Sequence, residues 1–135
     1  MSLITWSEEQ FGTKVSAHDQ EHQAIFAALN DLHSSAEGGD RAQTGQNLDK
    51  LLGIVKEHFA SEEQNLAKIG YDGLDAHKAE HDNLLNTCSD LHAKFSAGEA
   101  EITAETTGFL KEWLTKHIPT VDRSYSEPMN TAGIN

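Results

Sequence analysis

Residues 48–66 read LDKLLGIVKEHFASEEQNL, and this stretch decides the fold. Its apolar residues recur every three or four positions, which is the period of one face of an α-helix. His58 and Glu62 fall on that same face, because residues four apart on a helix lie almost one above the other. Burying such polar side chains is unfavourable unless they are paired. The stretch therefore predicts a core helix that carries two paired polar residues near its end.

The same period recurs along the rest of the chain and predicts an all-α fold. Four helices are predicted, over residues of about 19–36, 41–66, 73–95 and 104–120. Their predicted N-caps are Asp19, Asp40, Asp72 and Thr103. Short glycine-containing segments separate the helices, and short loops join antiparallel neighbours. The sequence therefore predicts an up-down-up-down antiparallel four-helix bundle.

The chain of 135 residues is expected to form a single domain with three parts. Residues 1–18 are predicted to be an N-terminal arm whose Trp6, Phe11 and Val15 pack back on the bundle. Residues 19–122 form the predicted bundle. Residues 123–135 are a polar C-terminal tail, which we expect to be partly disordered at its end.

Further polar residues fall on the predicted buried faces, each near one end of its helix. His22 lies near the start of the first helix, whereas His77 and His81 lie near the start of the third. His117 lies near the end of the fourth helix. Antiparallel packing brings these positions to one end of the bundle, together with the pair in the second helix. The predicted metal ligands are His22, His58, Glu62, His77, His81, His117 and Asp122.

The spacing between His117 and Asp122 requires a change in the helix. Five residues along a straight helix turn through about 500°, so the two side chains would point about 140° apart. They can share one site only if the helix tightens or ends between them. Pro119 lies between them and lacks a backbone N–H, so we do not expect a regular helix to continue unperturbed.

Five imidazoles and two carboxylates are too many ligands for one ion. If both carboxylates bridge two octahedral ions that also share an oxide or hydroxide, a single coordination position stays open. A pair of tetrahedral zinc ions needs fewer ligands than this set supplies. Mixed imidazole and carboxylate ligands at octahedral sites suit iron, and manganese is possible. The ligand set therefore predicts a redox-active metal pair with room for one small ligand.

The composition excludes several classes of partner. A formal net charge of −12 at pH 7 argues against nucleic acid and against anionic membranes. We find no secretory signal pattern and no stretch long enough to span a bilayer. Cys88 is the only cysteine, so no internal disulfide forms. We expect a soluble, cytoplasmic protein and a monomer.

The order H…HFxxE…HxxxH…HxxxxD resembles the hemerythrins, and most closely their stand-alone bacterial members. Trp6, the Asp19-x-x-His22 segment and the segment from Trp113 to Ile118 extend the resemblance over nearly the whole chain. The resemblance implies two iron ions per chain, bridged by oxide or hydroxide, in a carboxylate-bridged non-haem centre that binds O2 reversibly. It also implies an oxygen carrier, storage or delivery protein rather than an enzyme.

The same resemblance implies a role for each ligand. His77, His81 and His117 would hold one iron, whereas His22 and His58 would hold the other. Glu62 and Asp122 would bridge the two ions, and the iron with two histidines would take the oxygen.

Two other functions remain open. One is a di-iron enzyme with peroxide or nitric oxide chemistry, but ferritin-like enzymes use Glu-x-x-His pairs and this chain has none. The other is an oxygen or redox sensor that acts through a separate partner protein.

Spacing along the helices also predicts roles for residues around the centre. An apolar O2 pocket is predicted from Ile25, Phe59, Trp113, Leu114 and Ile118. His18 precedes the predicted cap Asp19, so we expect it to face solvent. His33 and His92 are predicted to lie away from the centre, and Cys88 is predicted to serve packing.

Overall fold

The computed structural model describes residues 3–135, so the first two residues of the predicted N-terminal arm lie outside it. Within this range the secondary structure is entirely helical. The helices are α1 Glu8–Phe11, α2 Ser16–Glu37, α3 Arg41–Lys68, α4 Leu74–Ser96, α5 Ala104–Thr120, the 3-10 helix Asp122–Tyr125 and α6 Ser126–Thr131. The four long helices α2 to α5 form the predicted bundle, in which α2 packs against α3 and α5, and α3 packs against α4.

Two of the four predicted N-caps are correct. The Asp40 side chain accepts a hydrogen bond from the Gln43 backbone N–H at the start of α3. The Thr103 hydroxyl accepts one from Thr106 at the start of α5. Each such cap contributes about 1 kcal/mol, because it satisfies a backbone N–H that has no partner within the helix.

The other two N-cap predictions are wrong. Helix α2 begins at Ser16, because Asp19 is engaged elsewhere: its carboxylate accepts hydrogen bonds from the Thr13 backbone N–H at 2.9 Å and the Thr13 hydroxyl at 2.7 Å. Helix α4 begins at Leu74, whose N–H donates to the Tyr71 carbonyl in the preceding turn. Its N-cap position is therefore a glycine rather than Asp72.

A continuous apolar core fills the bundle and extends away from the predicted ligands. Leu29, Leu32 and Leu48 are almost completely buried at its centre. The N-terminal arm packs on this core as predicted, because Phe11 contacts Phe26 edge-to-face with ring centroids 4.9 Å apart. The arm is also hydrogen-bonded to α2, where the Asn30 side chain accepts from the backbone N–H groups at the start of the described chain.

The C-terminal tail folds back over the ligand end of the bundle as the 3-10 helix and α6, and disorder at the very end of the tail stays a prediction. Tyr125 and Met129 are fully buried and form a second apolar cluster with Val15 and Leu66. The Arg123 guanidinium donates to the Gly12 carbonyl at 3.0 Å, which ties the tail to the N-terminal arm. Arm and tail together close the end of the bundle at which the ligands lie.

Candidate metal centre

The seven predicted ligands come together at one end of the bundle, although they derive from five elements. α2 contributes one histidine, α3 a histidine and a glutamate, α4 two histidines, and α5 one histidine. Asp122 opens the 3-10 helix that follows α5. All seven side chains are at most 4% exposed. The seven side chains therefore converge as their helical spacing predicts.

The chain changes helix type between His117 and Asp122, as their spacing requires. Helix α5 continues through Pro119 and ends at Thr120, so the change comes just after the proline. The Val121 N–H still donates to the His117 carbonyl at 2.7 Å, and the tighter 3-10 helix starts at the next residue. This tightening brings the His117 Nε2 atom to 2.9 Å from the Asp122 Oδ1 atom.

The two carboxylate oxygens of Glu62 face different pairs of histidines. The Oε1 atom lies 3.0 Å from the Nε2 atom of His77 and 3.3 Å from that of His81. The Oε2 atom lies 3.2 Å from the Nε2 atom of His58 and 3.3 Å from that of His22. The Glu62 carboxylate therefore lies between two groups of imidazoles.

Asp122 divides its oxygens in the same way. Its Oδ1 atom lies 2.9 Å from His117 Nε2 and 3.2 Å from His77 Nε2, whereas its Oδ2 atom lies 3.1 Å from His22 Nε2. The seven residues thus form two groups that share only the two carboxylates. One group contains three histidines and the other contains two, and in each group one donor atom per residue lies within 4.8 Å of all the others.

Many buried polar atoms at this centre lack hydrogen-bond partners. Their positions show whether the centre fits metal ions. Several buried atoms have no hydrogen-bond partner: Nε2 of His22, His81 and His117, and both carboxylate oxygens of Asp122. Unpaired buried polar atoms are strongly unfavourable. Imidazole nitrogens and carboxylate oxygens that point at one another at about 3 Å fit two bridged metal ions, which would satisfy all of them.

The carboxylates and imidazoles shift each other's proton affinity. Burial lowers the pKa of His58, but Glu62 and Glu21 outweigh burial and raise this pKa to about 10. The pKa of His77 is raised to about 9, since Asp122 and Glu62 again outweigh burial. Conversely, burial raises the Glu62 pKa, but the surrounding imidazoles hold it well below its usual range. Without metal the centre therefore holds protons, which cations must displace when they bind.

A second set of acidic residues, which was not predicted from the sequence, orients the predicted ligand histidines from outside. The Nδ1 atom of His58 lies 2.8 Å from a Glu21 carboxylate oxygen, and that of His81 lies 2.9 Å from a Glu63 oxygen. Such bonds fix the proton on Nδ1 and leave Nε2 free for a metal ion. Each of these acids directly neighbours a ligand in the sequence, which is the signal that could have identified them.

Tyr125 makes a further contact that was not predicted from the sequence. Its hydroxyl donates to the Glu62 Oε2 atom at 2.8 Å, and the side chain is fully buried. Burial and the charges of Glu62 and Asp122 raise the tyrosine pKa well above its usual value, so the hydroxyl keeps its proton. The apolar residues Tyr125 and Met129 at helical spacing were the available signal in a segment that otherwise reads as a polar tail.

The prediction that His18 faces solvent is wrong. His18 is fully buried, because α2 begins one turn earlier than predicted and places His18 on the same face as His22. His33 and His92 lie outside the site as predicted. His33 bonds Thr107 at 2.8 Å, and His92 is paired with an exposed aspartate on α3.

Cys88 is buried in the apolar core away from the ligands. Burial raises the pKa of its thiol to about 11, which keeps the thiol protonated and agrees with the predicted packing role.

Four of the five predicted pocket residues line a cavity of about 10 Å³ beside the ligand histidines. These four are Ile25, Phe59, Trp113 and Leu114. Ile118 is buried but does not line the cavity, because it follows His117 directly and therefore lies about 100° further around the helix. Val55 and Leu84, which were not predicted from the sequence, complete the apolar wall.

Aromatic rings pack directly on two of the predicted ligands. Phe59 stacks on His81 with ring centroids 3.7 Å apart, and Trp113 stacks on His117 at 4.2 Å. A second apolar cavity of about 20 Å³ adjoins the first and shares Leu114 with it. The centre is therefore bounded by apolar groups on the side that faces the core.

Comparison with known proteins identifies the family. A model of the hemerythrin HHE cation binding domain matches residues 13–126. A bacteriohemerythrin of Methylococcus capsulatus is 48% identical over 125 residues, which cover 93% of this chain and 95% of that protein. The chain belongs to the hemerythrin family. The resemblance inferred from the seven ligand positions is thus confirmed.

Other hemerythrins support the same fold and chemistry. A bacteriohemerythrin of Pseudomonas aeruginosa is 30% identical over 93% of this chain and 80% of its own length. The crystal structure of a wild-type hemerythrin matches with a TM-score of 0.93 and 46% identity, covering 95% of this chain and 98% of that one, which confirms the four-helix bundle. Like these relatives, the chain is an oxygen-binding protein with a di-iron centre, not an enzyme.

No helix among residues 3–135 is both long enough and apolar enough to cross a membrane.

Proposed function

We propose that this chain is a reversible O2 carrier, for storage or delivery of oxygen, and that its seven buried ligands hold the iron pair. His77, His81 and His117 would hold one iron, and His22 and His58 the other. The observation that carries this assignment is the division of the donor atoms into two groups that share only Glu62 and Asp122. Each shared carboxylate faces one group with one oxygen and the other group with the second oxygen.

The unequal numbers of histidines support O2 binding at one side of the centre. The His22 and His58 group supplies one imidazole fewer than the other group, so its iron would have the free position. When bound, the iron pair supplies the electrons that reversible binding of O2 requires. The hydrogen bonds that His58 and His81 donate to Glu21 and Glu63 hold the imidazoles in the tautomer that a metal ion needs.

The size and the apolar lining of the cavity favour a small, uncharged ligand. Its volume of about 10 Å³ is close to the least that accommodates a single water molecule, so larger organic molecules do not fit. Ile25 and Leu114 line it beside His22 and His117. An apolar wall disfavours the separation of charge that would release superoxide and leave oxidised iron. The cavity therefore suits a carrier that returns O2 unchanged.

The experiment that tests this proposal is repeated oxygenation of the reduced, iron-loaded protein in a closed optical cell. We expect a coloured form on exposure to O2, full bleaching on deoxygenation, and the same amplitude over several cycles. A colour that does not bleach, or that decays within one cycle, contradicts the carrier function. A His33→Ala variant is the matched control, because it changes a histidine outside the centre.

The cytoplasmic location and the monomeric state that the sequence predicts remain predictions of this proposal. Cell fractionation and the hydrodynamic mass of the purified protein test them separately.

A further inference from the structure

His18 is a buried histidine that belongs to neither group of proposed ligands. Its Nδ1 atom lies 2.7 Å from the Glu21 Oε1 atom, and its Nε2 atom lies 3.0 Å from the Asn65 side-chain nitrogen. The amide nitrogen of Asn65 can only donate, so Nε2 of His18 accepts and Nδ1 donates to Glu21. Both ring nitrogens are satisfied by these bonds, which fix the orientation of the ring.

The oxygen that accepts from His18 also accepts from a proposed ligand. Glu21 Oε1 lies 2.8 Å from the Nδ1 atom of His58, so two imidazole N–H groups share one carboxylate oxygen. In the other group, His81 has the Glu63 Oε2 atom to itself at 2.9 Å. The outer hydrogen bonds of the two groups therefore differ because of His18.

A carboxylate that accepts from the outer nitrogen of a ligand histidine increases the electron donation of that histidine to the metal. Stronger donation stabilises ferric iron relative to ferrous iron. A second N–H donor on the same oxygen draws away part of its charge, and each of the two hydrogen bonds becomes weaker. His18 would thus reduce the donation from His58, while its bond to Asn65 holds it in place.

We propose that His18 is a positioning residue for O2 binding, which acts through Glu21 to limit electron donation by His58 and so protects the reduced iron pair from oxidation. This inference rests on the proposed role of His58 as a ligand. It concerns the iron with two histidines, where the free coordination position is proposed.

The experiment measures the reduction potential of the iron pair and the autoxidation half-life in variants with opposite expected effects. His18→Leu fills the same volume but removes the N–H donor, so Glu21 acts on His58 alone. Glu21→Gln keeps the shape but replaces the carboxylate with a weaker acceptor. His18→Gln restores an N–H donor, and His33→Leu is a matched change of a histidine outside the centre. Iron content and the melting temperature of the apoprotein are recorded for each variant.

We expect His18→Leu to retain two irons, to lower the potential and to shorten the autoxidation half-life. A roughly tenfold shift in the ferrous-to-ferric equilibrium is expected, equivalent to about 59 mV for a one-electron couple. Glu21→Gln should raise the potential, and His18→Gln should return it toward that of the parent. His33→Leu should leave it unchanged. A general loosening of the fold would instead shift the reduction potentials of His18→Leu and Glu21→Gln in the same direction.

An unchanged or higher potential in His18→Leu overturns the inference. If His18→Leu does not fold, the test rests on Glu21→Gln. An unchanged or lower reduction potential in Glu21→Gln also overturns the inference. Iron above two per chain that disappears in His18→Leu also overturns it, because His18, Glu21 and His58 would then be ligands of a further ion. Failure of the proposed function is distinguishable, since a His58→Ala variant would then keep two irons and bind O2 as the parent does.

Discussion

The two ends of this bundle are built from the same four helices but are stabilised in opposite ways. At the end near the loop between α2 and α3, the inward positions hold apolar side chains such as Leu32, Leu48 and Phe95. At the other end, the same helices and the 3-10 helix bury six histidines, a glutamate and an aspartate. Burial itself stabilises the first end. At the second end burial is unfavourable until cations satisfy the donor atoms.

This difference shows how the fold separates its two tasks. The apolar end keeps the helices together whether or not metal is bound, so the ligand end can carry unpaired donor atoms. Val15 of the arm and Tyr125 and Met129 of the tail pack with Leu66 of α3 and close the ligand end, which shields the centre from water. Substitutions at the two ends should therefore respond differently to metal.

The largest effect is expected for Glu62→Ala. This change removes the carboxylate that faces both groups of histidines, so we expect loss of iron from both positions. The iron-loaded protein should lose about 3–5 kcal/mol of unfolding free energy, because the removal breaks a buried charged network. Iron analysis and denaturant unfolding measure both quantities. His92→Ala is the control and should keep two irons, whereas full iron loading of Glu62→Ala would refute the bridging role.

At the apolar end, Leu48→Ala should lower stability by about 2–5 kcal/mol without loss of iron, because it leaves a cavity in the core. The decrease should be nearly equal with and without metal. Chemical unfolding of both forms, compared with the same measurements on His81→Ala, gives the contrast. For His81→Ala the decrease should appear mainly in the metal-bound form. Equal responses of the two variants to metal would remove the distinction between the ends.

The effect of pH on the stability of the apoprotein is expected to be intermediate in size. The pKa values of His58 and His77 are raised to about 10 and about 9, so their contribution to stability is complete below about pH 6.5. It is lost as pH rises through 9 to 10. The pKa of Glu62 is lowered, so its contribution is present above about pH 4.5 and is lost at lower pH. Stability should thus be greatest near pH 5–6 and fall by at least about 1 kcal/mol by pH 9.5.

Urea unfolding of the apoprotein across this pH range is the required measurement. The metal-bound protein should not lose stability on the alkaline side, because cations replace the protons at the centre. If the stability of the apoprotein stays constant or rises between pH 6.5 and 9.5, the carboxylates do not keep the imidazoles protonated.

The smallest effect is expected in the O2 cavity. Leu114→Ala and Ile25→Ala should admit water and shorten the autoxidation half-life by up to about tenfold, a barrier change of about 1.4 kcal/mol. Iron content should not change. Phe109→Ala lies on the same helix as Leu114 but is exposed, so it serves as the control. If both cavity variants autoxidise at the rate of the control, the cavity does not protect the bound oxygen.

The sequence predicted those features that depend on regular helix geometry. His58 and Glu62 share a face, and so do His77 and His81, because four residues are about one turn in any α-helix. Antiparallel packing then determines which ends meet. The need for a helix change before Asp122 followed from the same geometry.

Features that depend on tertiary partners were not predictable in this way. Asp19 is a good N-cap residue, but the N-terminal arm supplies Thr13 as a better partner, so α2 extends and His18 becomes buried. Tyr125 and Met129 are four residues apart, but this single pair in a short polar segment is too weak a pattern to predict a buried helix. The role of Tyr125 depends on Glu62, more than sixty residues away in sequence.

The most direct test of the central claim is the Mössbauer spectrum of the oxidised protein loaded with 57Fe, with iron and protein quantified in the same sample. The central claim is that Glu62 and Asp122 join two ions in one centre. We predict two irons per chain and a diamagnetic ground state at low temperature, as expected for two ferric ions coupled through a bridge. One iron per chain, or two ferric ions with independent magnetic spectra, would contradict the account.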